Sequence, residues 1–376
     1  MQLIDRDGRL TPVLKILTDY PRDDLAHDEV HQSLVTSCVT RGLYPANIDV
    51  GSIPSLDTIA AGFKTAQLVF NSTLGYGHIF HTNCAPRKNI VSVKSQGEKI
   101  VLGMTRSGVV LLVVNAGYTL APFYDAVHAG EMTFYQTSVP DSGSQFRSRD
   151  YFPDAMADLT LHLATRFAAL GEDKIKQLLK AHAFREILDG LAYLGDPLNL
   201  TSFPYLPEGT VYYIDNFGNI KLNLKHYKLG HLHPVGTPLV AAIGNTVCDT
   251  VVGDAGFSAG EGVLAITSGS SGWGVGREGK AMFSEVFLRG GSAASHFPGV
   301  KTGDQMLAMK RADLLRVIET LKSAGRDVSE KLDLYNISEA RIIQLLGRAK
   351  LIKDGFDTTE LKKAFDRNEL IRRLMV

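Results

Sequence analysis

This chain has little cysteine and no net charge, and each shortage narrows what it can be. Its three cysteines, Cys38, Cys84 and Cys248, lie far apart in 376 residues with no Cys-x-x-Cys pair. That spacing argues against a disulfide framework and a structural zinc site, and it suits a reducing cytoplasm. Lys and Arg together number 40, as do Asp and Glu, so no overall field steers the protein towards nucleic acid or a membrane surface. No apolar run approaches the length of a membrane span, and charges interrupt the first residues, Met1 to Asp7. What is present is ordinary globular usage, with 44% hydrophobic and 21% charged residues, enough for two or three domains with real cores.

Patterning then divides the chain. A short apolar run from Val13 ends in Thr18-Asp19-Tyr20-Pro21, the way a buried strand delivers a carboxylate to a sheet edge, and a helix is predicted from about Ala26 to Arg41. Ala66 to Phe70 and Lys99 to Leu102 are predicted as strands, and Val109 to Val114 is a nearly uniform apolar strand; a helical block follows from about Asp154 to Leu188. This alternation predicts an α/β domain. Pro197, Pro204 and Pro207 mark a linker near residues 196–208. From Thr210 to about Val300, short β runs and many glycines predict an antiparallel sheet or barrel. Beyond about Gln305, Leu307, Leu314, Leu315, Ile318 and Leu321 fall at helical spacing, and Asp357-Thr358-Thr359-Glu360 resembles a capping box. The expected organisation is therefore an α/β domain with a mostly parallel sheet over residues 1–200, an antiparallel β-barrel over 208–305, and a helical extension over 306–376.

Four motifs bear on chemistry. Asp215-Asn216-Phe217-Gly218-Asn219, with Asn223 beyond, joins two strand-like runs. It fits either an Asx-turn in a hairpin or a ligand site of carboxylate and amide groups gathered near one strand end. Gly274 to Ala281 nearly spells a phosphate-binding loop, but Ala281 lacks the hydroxyl that would hold magnesium and Met282 to Leu288 reads as a strand, so a Gly-rich hairpin is expected. Phe146-Arg147-Ser148-Arg149-Asp150 sets two guanidiniums around a hydroxyl just before a helix, suiting either an anion site or a helix start with solvated arginines. His81 and Asn83 alternate along a strand and would share a face.

In order and spacing these pieces resemble the S-adenosylmethionine hydroxide adenosyltransferases and their fluorinase and chlorinase relatives over roughly residues 13–305. The resemblance rests on Thr18-Asp19, Phe146 to Asp150, Asp215 to Asn223, Arg289 to Ala294 and Val300 to Asp304. It implies an enzyme that displaces methionine from the ribose C5′ of S-adenosylmethionine, with no metal and no cofactor beyond that substrate. It also implies a homotrimer whose ligand, S-adenosylmethionine or adenosine, lies between neighbouring subunits. On this basis Asp19 holds the ribose hydroxyls, Asp215 and Ser268 face the methionine end, Asn219 contacts the adenine with backbone near Ala293, and Phe146, Arg147 and Ser148 surround the nucleophile.

The chain departs from these relatives at the residues that act on the nucleophile. Hydroxide-using members resemble one another in an Asp, an Arg and a His that are thought to generate hydroxide; the corresponding positions here are Asn83, Arg87 and Arg147. An amide takes no proton and a guanidinium stays charged, which leaves His81 as the nearby group able to accept one. Ser148 matches the serine that fluorinases place beside fluoride, but their long insertion is missing, Asn83 stands where they carry a tyrosine, and their tryptophan is lacking near Leu56. A catalytically silent protein that binds S-adenosylmethionine or adenosine is the alternative.

Overall fold

The computed structural model describes residues 11–86, 97–243, 246–256, 259–274 and 280–310. They form two compact units: one holds the described residues up to Tyr205 with Trp273 and Gly274, and the other holds the rest.

In the first unit, β1 (Val13–Thr18) leads into α1 (Leu25–Thr40), whose free N-terminal amides are capped by Asp24, its carboxylate accepting from the Ala26 amide at 2.8 Å. β2 (Asn47–Ser52) pairs in parallel with β1. α2 (Thr58–Phe70), capped by Asp57, carries the chain back past β1 to β3 (His78–Asn83), which pairs in parallel with the other edge of β1. β4 (Ile100–Thr105), β5 (Val110–Val114), α3 (Tyr124–His128) and β6 (Met132–Thr137) follow. α4 (Arg147–Asp150), α5 (Phe152–Leu170), α6 (Glu172–Lys180), α7 (Phe184–Leu188) and β7 (Leu194–Pro197) complete the unit.

The strand order is β2-β1-β3-β5-β4-β6-β7. Pairings from β2 to β5 are parallel and the remaining three are antiparallel, so the sheet is mixed where a mostly parallel one was expected. The cause is local: the connection from Thr105 to Val110 is too short for a parallel crossover. Alternation along β1 gives the sheet two apolar faces. Leu14 and Ile16 pack with Val30, Leu34 and Met156 from α1 and α5, whereas Leu17 packs with Ala61 of α2.

Three sequence expectations change here. Ala66 to Phe70 is the last part of α2, because Ile59, Ala66 and Val69 continue one buried helical face from the Asp57 cap. The single helical block is three helices, interrupted at Gly171 (φ +74°) and His182 (φ +57°). The expected linker also begins inside β7.

The second unit contains β8 (Val211–Ile214), β9 (Ile220–Lys225), α8 (His226–Leu232), β10 (Pro238–Ile243), β11 (Thr246–Val252), β12 (Leu264–Gly274) except its last two residues, β13 (Lys280–Leu288) and β14 (Met306–Met309). Their order is β14-β10-β11-β12-β13-β9-β8. β11 and β12 pair in parallel, so this sheet is mixed as well. Its two edges meet at one end: Thr210 bridges Gln305, the Met306 amide donates to the Gly209 carbonyl at 2.9 Å, and the Val211 amide donates to the Asp304 carbonyl at 2.7 Å. The sheet therefore curls into a half-barrel around Val211, Ile220, Leu222, Leu239, Ile266, Val286 and Phe297.

Lys280 opens a strand, not a helix, which removes the geometry a phosphate loop needs. Met306–Met309 pairs antiparallel with β10, so the expected helix does not begin at 306, and Leu307 belongs to a strand. The rest of the predicted helical extension, including Leu314, Leu315, Ile318, Leu321 and Asp357 to Glu360, lies outside the described residues. Among the described residues no helix is long and apolar enough to cross a membrane.

Candidate functional site

The first sheet reverses its winding direction at β1: the chain steps from β1 to β2 on one side and then crosses to β3 on the other. Connections leaving the carboxyl ends of β1 and β3 therefore diverge, and a crevice opens between them, the usual ligand position in open α/β sheets. A pocket of about 250 Å³ occupies that place, lined by Asp19, Tyr20, Leu56, Asn83, Arg147, Ser148 and Phe152 with Ala85 and Pro86.

Asp19 follows the last residue of β1, and its amide donates to the Asn83 carbonyl at 3.1 Å, fixing the two strand ends together. Its carboxylate is buried and accepts from the Leu56 amide at 3.3 Å. That amide is aimed inward because Leu56 takes a left-handed conformation at φ +61°, a strained choice for a branched residue. Burial raises the Asp19 carboxyl above its ordinary value, opposed by the Leu56 amide and by other hydrogen bonds including one from Cys84. Burial, and then the charge of Asp19, pushes the Cys84 thiol up, so Cys84 is a packing group and hydrogen-bond donor here, with no thiolate to offer.

The Phe146 to Asp150 segment separates its two guanidiniums. Arg147 turns inward, is 5% exposed, donates from Nη1 to the Glu98 carbonyl at 2.8 Å and lies over the Phe152 ring at 5.5 Å. A Cβ on Gly97 would stand 2.0 Å from Arg147 Nη2, so glycine there admits the buried cation. Arg149 folds over Phe146 at 4.7 Å and bonds Asp150 at 2.7 Å, and it does not line the pocket. Ser148 Oγ lies 2.8 Å from the Tyr20 hydroxyl, and the Tyr20 ring meets Phe146 edge-on at 5.7 Å.

His81 and Asn83 do share a face of β3, yet only Asn83 lines the pocket. His81 Nδ1 lies 3.1 Å from the Leu112 carbonyl, which makes it the protonated nitrogen. Nε2 is buried without a partner, and the ring packs at 5.1 Å against Phe152, which stands on the pocket wall. Burial lowers the His81 pKa to about 4, so the imidazole is neutral at pH 7. Arg87 lies outside the described residues.

In the second unit, Asp215 Oδ1 accepts from the Phe217 and Asn219 amides, both at 3.0 Å, and the Asn219 side-chain amide donates to Oδ2 at 3.1 Å. Lys221 Nζ stands 3.4 Å from Asp215 and 2.8 Å from Glu285. This is an Asx-turn, with Gly218 at φ +79° where a Cβ would strike Ser292 Oγ. Buried Ala293 adjoins the turn, since the Ala294 amide donates to the Gly218 carbonyl at 2.9 Å. Asn223 does not join Asp215 and Asn219; it donates to the carbonyls of Leu206 and Pro207 at 3.0 and 3.1 Å. Ser268 is half-buried on β12.

The structure thus brings Asp19, Asn83, Arg147 and Ser148 together from three separated stretches, with Phe146 behind Tyr20. It adds Tyr20, Leu56 and Phe152. Tyr20 adjoins a residue already singled out, whereas nothing in the sequence flags a left-handed leucine. Among the described residues no group of three or more His, Cys, Asp or Glu side chains is placed to hold a metal ion.

No protein-family model matches this chain, and no curated protein matches it. Its fold is similar to that of an uncharacterized conserved protein from Thermotoga maritima, with a TM-score of 0.52 and 16% identity over 79% of this chain and 100% of that one. A conserved hypothetical protein from Thermus thermophilus aligns with a TM-score of 0.48 and 17% identity over the same shares. At such identities the first likeness speaks for the fold alone, and the second carries no argument.

Proposed function

We propose that the chain is an S-adenosylmethionine-dependent adenosyl transferase or hydrolase of the hydroxide adenosyltransferase and fluorinase type. The observation that carries this reading is the pocket at the carboxyl ends of β1 and β3, where Asp19, Asn83, Arg147 and Ser148 converge. A carboxylate is a bidentate acceptor for a ribose diol, and Asp19 keeps acceptor capacity beyond its bond to the Leu56 amide. In the proposed reaction a nucleophile, hydroxide from water or a halide, forms a bond to C5′ as the C5′–S bond breaks, and that electron pair leaves on the methionine sulfur. An anion and a sulfonium cation merge into a less charged transition state, so a dry pocket with fixed donors favours the step.

The same reading makes the half-barrel part of a barrel domain and the protein a cytoplasmic homotrimer. Asp215, Asn219, Ser268 and the backbone at Ala293 of one subunit would then meet the Asp19 pocket of another. A second reading, a binding protein without turnover, is favoured by one observation: among the described lining residues Asp19 is the sole carboxylate and none is a histidine. Asn83 and Arg147 cannot take a proton, and His81 stands behind Phe152. Calorimetric titration with S-adenosylmethionine and with adenosine tests the binding common to both readings. Binding by the wild type that weakens about 10-fold or more in Asp19→Ala is expected for a lost charged hydrogen-bond acceptor; no heat with either ligand would contradict both.

A further inference from the structure

Tyr20 and Ser148 form a hydroxyl pair on the pocket wall, at 2.8 Å. One of the two must donate. A phenol is a stronger hydrogen-bond donor than an aliphatic alcohol. The Tyr20 ring is held edge-on to Phe146, which fixes where the phenol oxygen lies beside Ser148 Oγ. The phenol is thus the favoured donor to Ser148 Oγ, an arrangement that leaves the Ser148 proton for another acceptor. Ser148 is buried, and among the described residues no hydrogen bond from its hydroxyl to a second side chain competes for that proton. The open direction is the pocket that both residues line.

We propose that Tyr20 is a positioning residue: its hydrogen bond locks the Ser148 rotamer and turns the Ser148 hydroxyl into a donor towards the atom that occupies the pocket. Resting on the adenosyl transfer reading above, that atom is the incoming nucleophile, and Tyr20 governs how firmly it is held in line with C5′. Neither residue changes protonation state in this role.

The test is a cycle of Tyr20→Phe, Ser148→Ala and the double variant, assayed for release of methionine from S-adenosylmethionine and for thermal midpoint. Tyr20→Phe keeps the ring against Phe146, so the fold is retained. The expected result is a kcat about 10-fold lower in Tyr20→Phe with KM within twofold, and a double variant no slower than Ser148→Ala. Wild-type kcat in Tyr20→Phe, or a double variant in which the two losses multiply, would overturn the proposal. Should the wild type release no methionine, the adenosyl transfer reading fails while the pairing is still judged by the midpoints. Shifts that are non-additive across the cycle uphold Tyr20 as the group that positions Ser148, and additive shifts overturn it.

Discussion

Asp19 shows what burying a carboxylate costs the fold. Because burial raises its pKa above the ordinary 3.8, the native state holds its proton more tightly than the unfolded chain does. The stability tied to that proton is fully present below pH 3.8 and is lost as pH rises through the raised native value. Asp19→Asn, which can still accept from the Leu56 amide, should therefore melt at a higher temperature than the wild type at pH 7, and the difference should vanish in acid. Thermal melts across pH measure this directly. His81 has the opposite sign. Its pKa falls from 6.5 to about 4, so the unfolded chain binds a proton that the native state refuses, and stability declines as pH drops from 6.5 towards 4. The decline attributable to His81 is of the order of 3 kcal/mol. Urea unfolding of His81→Gln should show a shallower loss over that window, with His78, also lowered to about 4, supplying part of the remainder.

At this scale the site was legible in part. Thr18-Asp19 closes an apolar run, so position alone pointed to Asp19, whereas Asn83 was placed on a strand face with His81 and singled out by the resemblance. Pattern alone did not separate Arg147 from Arg149, which only the family resemblance singled out, because the inward turn of Arg147 depends on the opening at Gly97 and on the Glu98 carbonyl, which lies far back in the chain. Asp215 carried two readings, and its geometry is that of the turn: both carboxylate oxygens accept from groups of the turn itself, which does not prevent them from also meeting a ligand.

Among the elements, α2 covers the face of β1 that carries Leu17. Its Gly62 faces the loop after β5 so closely that a Cβ would lie 2.5 Å from the Thr119 carbonyl oxygen. That neighbour is backbone and cannot swing aside. Gly62→Ala should destabilise the protein by about 1–3 kcal/mol despite alanine's better helix propensity, as a chemical denaturation curve would report. Were propensity to win, the midpoint would rise. The same helix explains a failed expectation, since the short apolar run from Ala66 to Phe70 cannot be distinguished from a strand without the Asp57 cap more than two turns before it. The Gly274 to Ala281 motif went the other way: the strand character of Met282 to Leu288 was enough to anticipate β13. β14 was missed because so short a strand is outweighed, in any periodicity, by the leucines that follow.

For the molecule as a whole, the two units were visible as a change in texture near the proline-rich stretch, an α/β half followed by a β half. The mixture of parallel and antiparallel pairings in each sheet was not visible, because pairing direction is decided by connection lengths and partners distant in sequence. The central claim, that the pocket between the ends of β1 and β3 serves C5′ displacement, rests on residues gathered there from separated stretches of chain. Incubating the purified protein with S-adenosylmethionine, with and without added halide, and separating the products by chromatography tests it most directly. The account predicts release of methionine together with adenosine or a 5′-halo-adenosine, lost in Asp19→Ala; S-adenosylmethionine bound tightly yet recovered intact would contradict it.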